Sequence, residues 1–324
     1  MKQRTFGRTG WSVSEIGVGT FGMGEWSGSN DDESMAALEV AIEKGCTFFD
    51  TAAGYGNGHS EHLVGEAVRA HPERRLYVAT KISPKNRKWP SQRSDMIEHI
   101  FPPEHIREYV EKSLINLGMS KVDLIQFHVW EDSWAEDDGW QRTIANLKSE
   151  GLVAAVGISL NRWEPWNGIK TVETGLIDSV QVIYNIFDQS PEDELFPTCR
   201  ENHVAVIARV PFDEGTLTGT LSVSTSFPAG DWRSEYFVPE NLSASVAHAE
   251  ALRAVLPDGM TMPEAALRFI LSNPDVSTVI PGMRKAGRVV ENMAASDAGP
   301  LPPAVLQEFR KHRWDRRPTW WSAG

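Results

Sequence analysis

The feature that most constrains the fold of this sequence is a regular alternation of short apolar runs with helical patterns. Eight segments of four to seven residues are almost continuously apolar. Such runs are typical of parallel strands that are covered on both faces. The predicted strands are 15–18, 47–50, 76–81, 122–128, 153–159, 178–183, 204–209 and 276–280.

Helical patterns fill the gaps between these strands. Apolar residues recur on one face of 104–117, and Gly118 follows as a stop signal. Thr261 and Glu264 have capping-box spacing at the start of another helix, with Pro274 just beyond its end. The other predicted helices are 31–44, 61–70, 139–150, 162–174, 191–201, 242–255, 285–295 and 303–312.

Eight strands that are each followed by a helix predict an α/β fold, a (β/α)8 TIM barrel, as a single domain over residues 1–324. Residues 1–14 are expected to form an N-terminal hairpin, with its turn at 7–10. Long loops at 82–103 and 210–241 follow the third and seventh predicted strands, and residues 296–324 form a C-terminal helix and tail.

Composition excludes several classes of function. The 32 Lys and Arg residues against 44 Asp and Glu give a net charge of -12, which disfavours nucleic-acid binding. No apolar run approaches the roughly 20 residues that cross a bilayer, so we expect no membrane partner. Two cysteines, Cys46 and Cys199, are too few for a disulfide framework or a zinc site. We expect a cytoplasmic protein without a metal, while the oligomeric state stays open.

The glycine-rich segment 17–22 matches the G-x-G-x-x-G pattern of Rossmann dinucleotide sites. That fingerprint needs its last glycine to open a helix and an acidic residue about 20 residues further on. The residues after Gly22 cannot begin a helix, and the next strand ends at Asp50. A Rossmann site is therefore not expected here.

Polar residues at the strand ends form a more coherent set. Asp50, Lys81 and His128 end the second, third and fourth predicted strands, and Tyr55 follows Asp50 in a turn. Each residue alone has an ordinary structural explanation, but the carboxyl ends of barrel strands meet at one mouth. A free phenol has a pKa near 10, and a nearby ammonium lowers that value. The set predicts proton transfer to a carbonyl oxygen, and the missing hydride implies a nicotinamide cofactor.

Several segments carry a specific resemblance, in order along residues 1 to about 295: 49–56, 79–81, 123–128, 156–159, 179–185, 215–219 and 280–284 running on to 291–292. In these segments the sequence resembles the aldo/keto reductase superfamily, in its bacterial type. The resemblance implies a barrel that binds NADP(H) in an extended pose and reduces aldehydes or ketones reversibly. Tyr55 looks like the general acid, with Lys81 and Asp50 tuning it, and His128 like the residue that orients the substrate.

The resemblance also implies a cofactor site. Gly19, Thr20 and Phe21 would line the floor near the nicotinamide, and Ser159 and Gln181 would hold its carboxamide. The pyrophosphate loop and the adenosine segment would use Pro211, Gly215, Leu217, Gly219, Gly282, Arg284, Arg288, Glu291 and Asn292.

Two positions depart from the family pattern. Leu160 separates Ser159 from Asn161, which puts the usual asparagine contact to the carboxamide in doubt. Arg209 stands where many members stack an aromatic ring on the nicotinamide, and its planar guanidinium can also stack.

Charge indicates which cofactor is used. Arg284, Lys285 and Arg288 cluster at a predicted helix start, which favours the 2'-phosphate of NADP(H) over NAD(H). A solvated basic helix start is the plain alternative.

The substrate pocket is predicted to include Met23, Trp26, Trp89 and Trp130. Aromatic walls suit apolar carbonyls and sugar faces alike. Basic residues at 85–93 would attract an anionic substrate, although a solvated loop explains them as well.

The sequence thus predicts an NADP(H)-dependent oxidoreductase that reduces an aldehyde or ketone. One alternative is a sugar or polyol dehydrogenase that runs in the oxidative direction. The other is a slow cofactor-binding redox sensor, because relatives of this fold serve as subunits of potassium channels.

Overall fold

The computed structural model describes residues 1–24, 28–228 and 230–322. The chain begins with the expected antiparallel hairpin of β1 (Gln3–Phe6) and β2 (Trp11–Ser14). Its turn closes at Gly10, whose φ of 69° is the left-handed conformation that glycine adopts without strain. The Phe6 ring lies 5.4 Å from the Phe48 ring, in a buried cluster inside the barrel, so the hairpin plugs the amino-terminal end.

Eight parallel strands form the sheet, and they follow one another in chain order. The strands are β3 (Val18–Gly19), β4 (Phe48–Asp50), β5 (Tyr77–Ile82), β6 (Val122–Phe127), β7 (Val153–Ser159), β8 (Ser179–Ile183), β9 (Ala205–Arg209) and β10 (Val276–Val279). The prediction of eight parallel strands is confirmed.

Hydrogen bonds between the first and last strands close the sheet into a (β/α)8 barrel. The Gly17 amide donates to the carbonyl of Val279 over 2.8 Å, and the Gly19 amide donates to that of Pro281 over 2.9 Å. The first strand is shorter than predicted because residues 15–17 make these isolated bridges instead of a continuous ladder.

Helices surround the barrel. The long ones are α1 (Asp31–Glu43), α2 (His59–Ala70), α4 (Pro103–Leu117), α5 (Asp138–Ser149), α9 (Pro239–Arg253), α10 (Met262–Leu271), α11 (Ala286–Ala298) and α12 (Pro303–Arg310). Short ones are α3 (Ile97–Ile100), α6 (Ile169–Glu173), α7 (Leu195–Glu201) and α8 (Arg233–Tyr236). As predicted, the Thr261 hydroxyl caps α10 by accepting a 3.3 Å hydrogen bond from the Glu264 amide.

One predicted helix needs correction, and two short helices were not predicted. The predicted helix at 162–174 shrinks to α6, since Trp163 has a φ of 57° and Pro165 and Gly168 interrupt the segment before it. The long loops contain α3 and α8, which lack the length to show a clear helical period. In the part of the chain that the structure describes, no helix is both long and apolar enough to cross a membrane.

Candidate active site

The four residues predicted to act on the substrate meet at the carboxyl ends of the strands. Lys81 is central: its Nζ donates to Asp50 Oδ1 over 2.5 Å, to the Thr51 carbonyl over 2.8 Å and to the Tyr55 hydroxyl over 3.3 Å. The imidazole of His128 lies edge-on to the Tyr55 ring, with 5.8 Å between ring centres. The fold thus brings together side chains from β4, from β5, from the residue directly after β6 and from one turn.

Asp50 and Lys81 form a buried ion pair. Only 2% of the surface of Asp50 and 1% of that of Lys81 is exposed to solvent. Burial works to lower the pKa of Lys81, but the Asp50 carboxylate and the Tyr55 hydroxyl outweigh it and raise the pKa. The lysine therefore stays charged. Removing two charges from water costs free energy. The attraction within the pair offsets this desolvation cost only when further hydrogen bonds satisfy the remaining polar atoms.

Two glutamine amides supply those bonds. Gln181 donates to Asp50 Oδ2 over 2.8 Å and Gln126 does so over 3.1 Å, while the Gln181 amide also donates to Gln126 Oε1 over 3.2 Å. Gln126 was not among the residues that the sequence singled out. The signal was present, because alternate residues of a strand share a face and Gln126 lies two positions before His128.

Tyr55 lies in a tight turn after β4, where its ring is partly exposed. The ammonium of Lys81 lies 4.9 Å from the ring centre, and the Phe21 ring meets it edge-on at 5.1 Å. A Cβ at Gly24 would lie 2.6 Å from the Tyr55 carbonyl carbon, so only glycine lets this backbone pass so close. These contacts hold the Tyr55 ring in place, and the ring remains partly exposed to solvent.

His128 carries a buried nitrogen, Nδ1, with no hydrogen-bond partner among the described residues. Burial, together with the charges of Lys81 and Arg209, lowers the pKa of His128 well below its ordinary value. The imidazole is therefore neutral at physiological pH. A neutral imidazole has one N–H to donate, as polarisation of a substrate oxygen requires.

Arg209 ends β9 and donates from Nη2 to the Leu160 carbonyl over 2.9 Å. Burial and the nearby Arg162 lower the pKa of Arg209 to about 10. Its Nε is buried and lacks a partner within the described ranges. Buried polar atoms without partners are rare in folded proteins, and this N–H is available to donate a hydrogen bond to a ligand.

Two pairs of residues assigned to the cofactor site are neighbours across adjacent strands. Ser159 pairs with Gln181 in the β7–β8 register, and Gly19 bridges Gly282 across the closure of the barrel. The Thr20 hydroxyl is buried and donates to the Asp50 carbonyl over 3.0 Å, so it supports the site from behind.

Asn161 does not join the Ser159–Gln181 pair. Its amide donates to Ser91 Oγ and to Glu131 Oε1, each over 3.0 Å. Because Leu160 separates Asn161 from Ser159, the Asn161 side chain lies in a different polar cluster, with Ser91 and Glu131. This position agrees with the doubt that the sequence raised about an asparagine contact to the carboxamide.

The loop after β9 carries the residues expected at the pyrophosphate. Pro211 and Leu217 are buried, and the Leu217 amide already donates to the Phe212 carbonyl over 2.9 Å. Gly215 has a φ of 116° and open space where a Cβ would stand, while Gly219 has a φ of 70°. Open space beside a glycine backbone fits close approach by a phosphate group.

The segment expected at the adenosine forms the start of α11. Lys285 lies 3.8 Å from Glu33, and Arg288 pairs with Glu291 over 2.6 Å. Arg284 lies close to Gly28, and Asn292 is buried.

The C-terminal tail fastens the loop after β9. Arg316 is almost completely buried, and its Nη2 donates to Asp188 over 2.5 Å and to Asp213 over 2.6 Å. Arg162 makes a second bond to this loop, with 2.6 Å to Glu214. These buried charges tie the tail and the loop to the barrel mouth.

The predicted substrate pocket needs correction. Trp130 is fully buried in the main core, where its Nε1 donates to Thr171 over 2.7 Å and its ring meets Trp140 edge-on. It therefore faces the layer of helices and not the barrel mouth. Met23 is also buried in the main core. Trp89 does lie by the site, with its ring edge-on to His128 at 5.7 Å, and Trp26 lies outside the described residues.

Comparison with known proteins decides the family. A model of the aldo/keto reductase family matches residues 15–313. The chain belongs to the aldo/keto reductase family. It is 29% identical to the NADH-specific methylglyoxal reductase of Escherichia coli over 311 residues, which cover 91% of this chain and 93% of that one.

Two solved aldo/keto reductase folds are also similar. One is an aldo-keto reductase from Bacillus halodurans in its holo form, with 26% identity, a TM-score of 0.77 and 99% coverage of both chains. The other is a glycerol dehydrogenase from Gluconobacter oxydans, with 25% identity, a TM-score of 0.77 and 98% coverage of both. The protein is thus an oxidoreductase of a family that uses nicotinamide cofactors on small carbonyl compounds.

The residues present in this aldo/keto reductase fit such a cofactor. The unpartnered Nε of Arg209 and the open backbone at Gly215 leave room and hydrogen-bonding capacity along one side of the mouth. Ser159 and Gln181 offer side-chain oxygens to an amide, and the basic residues of α11 suit a phosphate.

Proposed function

We propose that this protein is a cytoplasmic NADP(H)-dependent reductase that converts an aldehyde or ketone to an alcohol, with Tyr55 as the general acid. The observation that carries the proposal is a chain of hydrogen bonds that runs from Asp50 through Lys81 to Tyr55. Its inner part is a buried, charged pair, and its outer end is a partly exposed phenol 3.3 Å from the ammonium. Such a chain is suited to give up one proton toward the mouth of the barrel.

Each residue has a distinct part in the reaction. Tyr55 donates its proton to the carbonyl oxygen, and the ammonium of Lys81 stabilises the phenolate that remains. Asp50 keeps Lys81 charged and aimed, while neutral His128 donates a hydrogen bond to the oxygen as negative charge develops there. The nicotinamide, when bound, supplies the hydride that reaches the carbonyl carbon. Solvent then returns a proton to Tyr55.

The preference for NADP(H) rests on Arg284, Lys285 and Arg288 at the start of α11. Lys285 pairs with Glu33, and Arg288 pairs with Glu291. Both carboxylates are exposed, and ion pairs of this kind are weak. A dianionic 2'-phosphate competes well for such cations. The Escherichia coli relative carries the name of an NADH-specific enzyme, so the choice must be measured on this chain.

The test is a titration of the protein with NADPH and with NADH, followed by tryptophan fluorescence and then by nucleotide consumption with small aldehydes. We expect tighter binding of NADPH and its oxidation. Arg284→Ala should weaken NADPH by roughly tenfold or more and leave NADH unchanged. Lys121→Ala, at the opposite end of the barrel before β6, is the matched control. Equal affinities in the wild type would overturn the NADP(H) assignment, and no binding of either nucleotide would overturn the reductase assignment.

A second candidate is oxidation of a polyol on the same residues. The similar Gluconobacter oxydans structure bears the name of a glycerol dehydrogenase. In that direction a Tyr55 phenolate, stabilised by Lys81, takes the hydroxyl proton. Comparing the initial rates of glycerol oxidation and aldehyde reduction separates the two candidates. A redox sensor would bind the nucleotide and turn over slowly in both directions.

A further inference from the structure

Glu61 is a buried carboxylate to which the proposed reaction gives no part. It lies in the first turn of α2 and is completely withdrawn from solvent. Its Oε1 accepts a hydrogen bond from Thr80 Oγ1 over 2.5 Å, and its Oε2 accepts one from Asn116 Nδ2 over 2.7 Å. Both donors are neutral. Burial of a carboxylate among neutral groups is costly, so the question is what its placement achieves.

The segment that precedes this carboxylate carries the proposed acid. Tyr55 begins a turn in which three successive residues, Gly56, Asn57 and Gly58, have φ of 60°, 51° and 97°. Glycine adopts this left-handed conformation without strain, but other residues rarely do. A run of such residues persists only where the surrounding structure enforces it. The position of the Tyr55 side chain therefore depends on what holds this turn.

Helix α4 supports the turn from outside the barrel. The Lys112 ammonium donates to Asn57 Oδ1 over 2.9 Å. The Asn116 amide lies against Gly58, where a Cβ would overlap it. The same amide donates to Glu61, so the carboxylate orients the group against which the turn packs.

Strand β5 holds both ends of the segment 55–61. Lys81 donates to the Tyr55 hydroxyl over 3.3 Å, and the adjacent Thr80 donates to Glu61 over 2.5 Å. Successive residues of a strand point to opposite faces, so Lys81 acts from inside the barrel and Thr80 from the side of the helices. The segment and the strand thus form a closed ring. The separation of the Tyr55 hydroxyl from Lys81 depends on the bond at the other end of that ring.

Ser60 fixes the same helix start to two further strands. Its hydroxyl donates to Thr20 Oγ1 over 2.7 Å and accepts from Thr51 Oγ1 over 2.9 Å. Thr20 directly follows β3, Thr51 directly follows β4, and all three side chains are buried. The start of α2 is therefore tied to the carboxyl ends of the strands through buried hydrogen bonds.

We propose that Glu61 is a positioning residue for the proposed general acid: through Thr80 and Asn116 it holds the Tyr55 hydroxyl beside the Lys81 ammonium. The inference rests on the proposed reductase function, and it assigns Glu61 no contact with the substrate or the nucleotide. A misplacement of about 1 Å at a reacting group can lower a rate by roughly 100-fold. Loss of Glu61 should therefore slow the chemical step and leave nucleotide affinity unchanged.

The test is single-turnover reduction of propanal, butanal and benzaldehyde with NADPH and with NADH, together with nucleotide titration. Glu61→Leu should lower the rate roughly tenfold to 100-fold. Thr80→Val, a milder change in case the first variant does not fold, should lower it roughly threefold to tenfold. Glu61→Gln keeps both hydrogen bonds, because the Thr80 hydroxyl can accept as well as donate, and should stay within about twofold of the wild type. Thr143→Val, on the outer helix α5, is the matched control and should keep the rate.

A double variant separates this role from a general loss of structure. In Tyr55→Phe the hydroxyl that Glu61 positions is absent, so adding Glu61→Leu should change the remaining rate by less than about twofold. Equal slowing with and without that hydroxyl would overturn the inference, as would wild-type rates in both Glu61→Leu and Thr80→Val. Failure of the wild type to reduce any of the aldehydes with either nucleotide would overturn the proposed function itself. The two failures are therefore distinguishable.

Discussion

The ammonium of Lys81 lies 2.5 Å from Oδ1 of Asp50, and both side chains are almost completely withdrawn from solvent. A pair of this kind adds little net stability, because the desolvation of both ions offsets their attraction. Its value here lies in the third group, since the same ammonium reaches the Tyr55 hydroxyl. The pair therefore holds a positive charge next to the Tyr55 phenol.

Removal of one partner of this pair should be costly. Lys81→Met leaves the Asp50 carboxylate buried without its cation, and we expect the free energy of unfolding to fall by about 3 kcal/mol. Adding Asp50→Asn should restore most of that stability and none of the activity. Denaturant unfolding of both variants checks this, and a double variant as unstable as Lys81→Met would contradict it.

Gln126 should act as a positioning residue for the acid. Gln126→Leu removes one donor to Asp50 and the acceptor of the Gln181 amide, so we expect kcat to fall roughly fivefold to tenfold and cofactor binding to weaken. Gln141→Leu, on the outer helix α5, is the matched control. Steady-state kinetics and nucleotide titration measure both effects. Wild-type kcat and affinity in Gln126→Leu would refute this role.

The protonation of His128 predicts a dependence of stability on pH. The folded protein keeps this imidazole neutral far below 6.5, whereas the unfolded chain takes up a proton near that value. The contribution to stability is therefore complete above pH 6.5 and is lost as pH falls toward the folded pKa. Between about pH 7 and pH 5 the unfolding free energy should fall less in His128→Gln than in the wild type. The unfolding free energies of both proteins are measured by urea titration at several pH values. Equal changes with pH in the two proteins would contradict the lowered pKa of His128.

Arg316 in the C-terminal tail should contribute more to the free energy of unfolding than the exposed Arg313. Arg316→Met leaves Asp188 and Asp213 buried without their cation, and we expect a loss of about 3 to 5 kcal/mol and weaker cofactor binding through the loop after β9. Arg313→Met removes pairs with exposed carboxylates and should cost about 0 to 1 kcal/mol. Thermal and denaturant unfolding compare the two, and equal losses would be contrary to this account.

The barrel was largely predictable because its strands are continuous apolar runs and its helices carry stop signals such as Gly118. The closure of the barrel also follows from eight repeats of the same unit. The start of the first strand was wrong because the chain satisfies its backbone there with isolated bridges to β10, which no local pattern encodes.

Side-chain direction was the harder part of the site. Lys81 and Asp50 were predictable because strand ends converge at one mouth. Trp130 was misassigned because it follows His128 closely in sequence, yet its ring turns outward to Thr171 and Trp140. Gln126 was missed because an amide within an apolar strand resembles an ordinary buried polar residue until its carboxylate partner, 76 positions away, is known.

The central claim is that Tyr55 protonates the substrate oxygen. Tyr55→Phe keeps the ring, its edge contact with Phe21 and the buried Asp50–Lys81 pair, and it removes only the proton donor. The most direct measurement is single-turnover reduction of an aldehyde by the variant loaded with its nicotinamide nucleotide. The account predicts a rate roughly 100-fold or more below wild type with unchanged nucleotide affinity. A wild-type rate in that variant would contradict it.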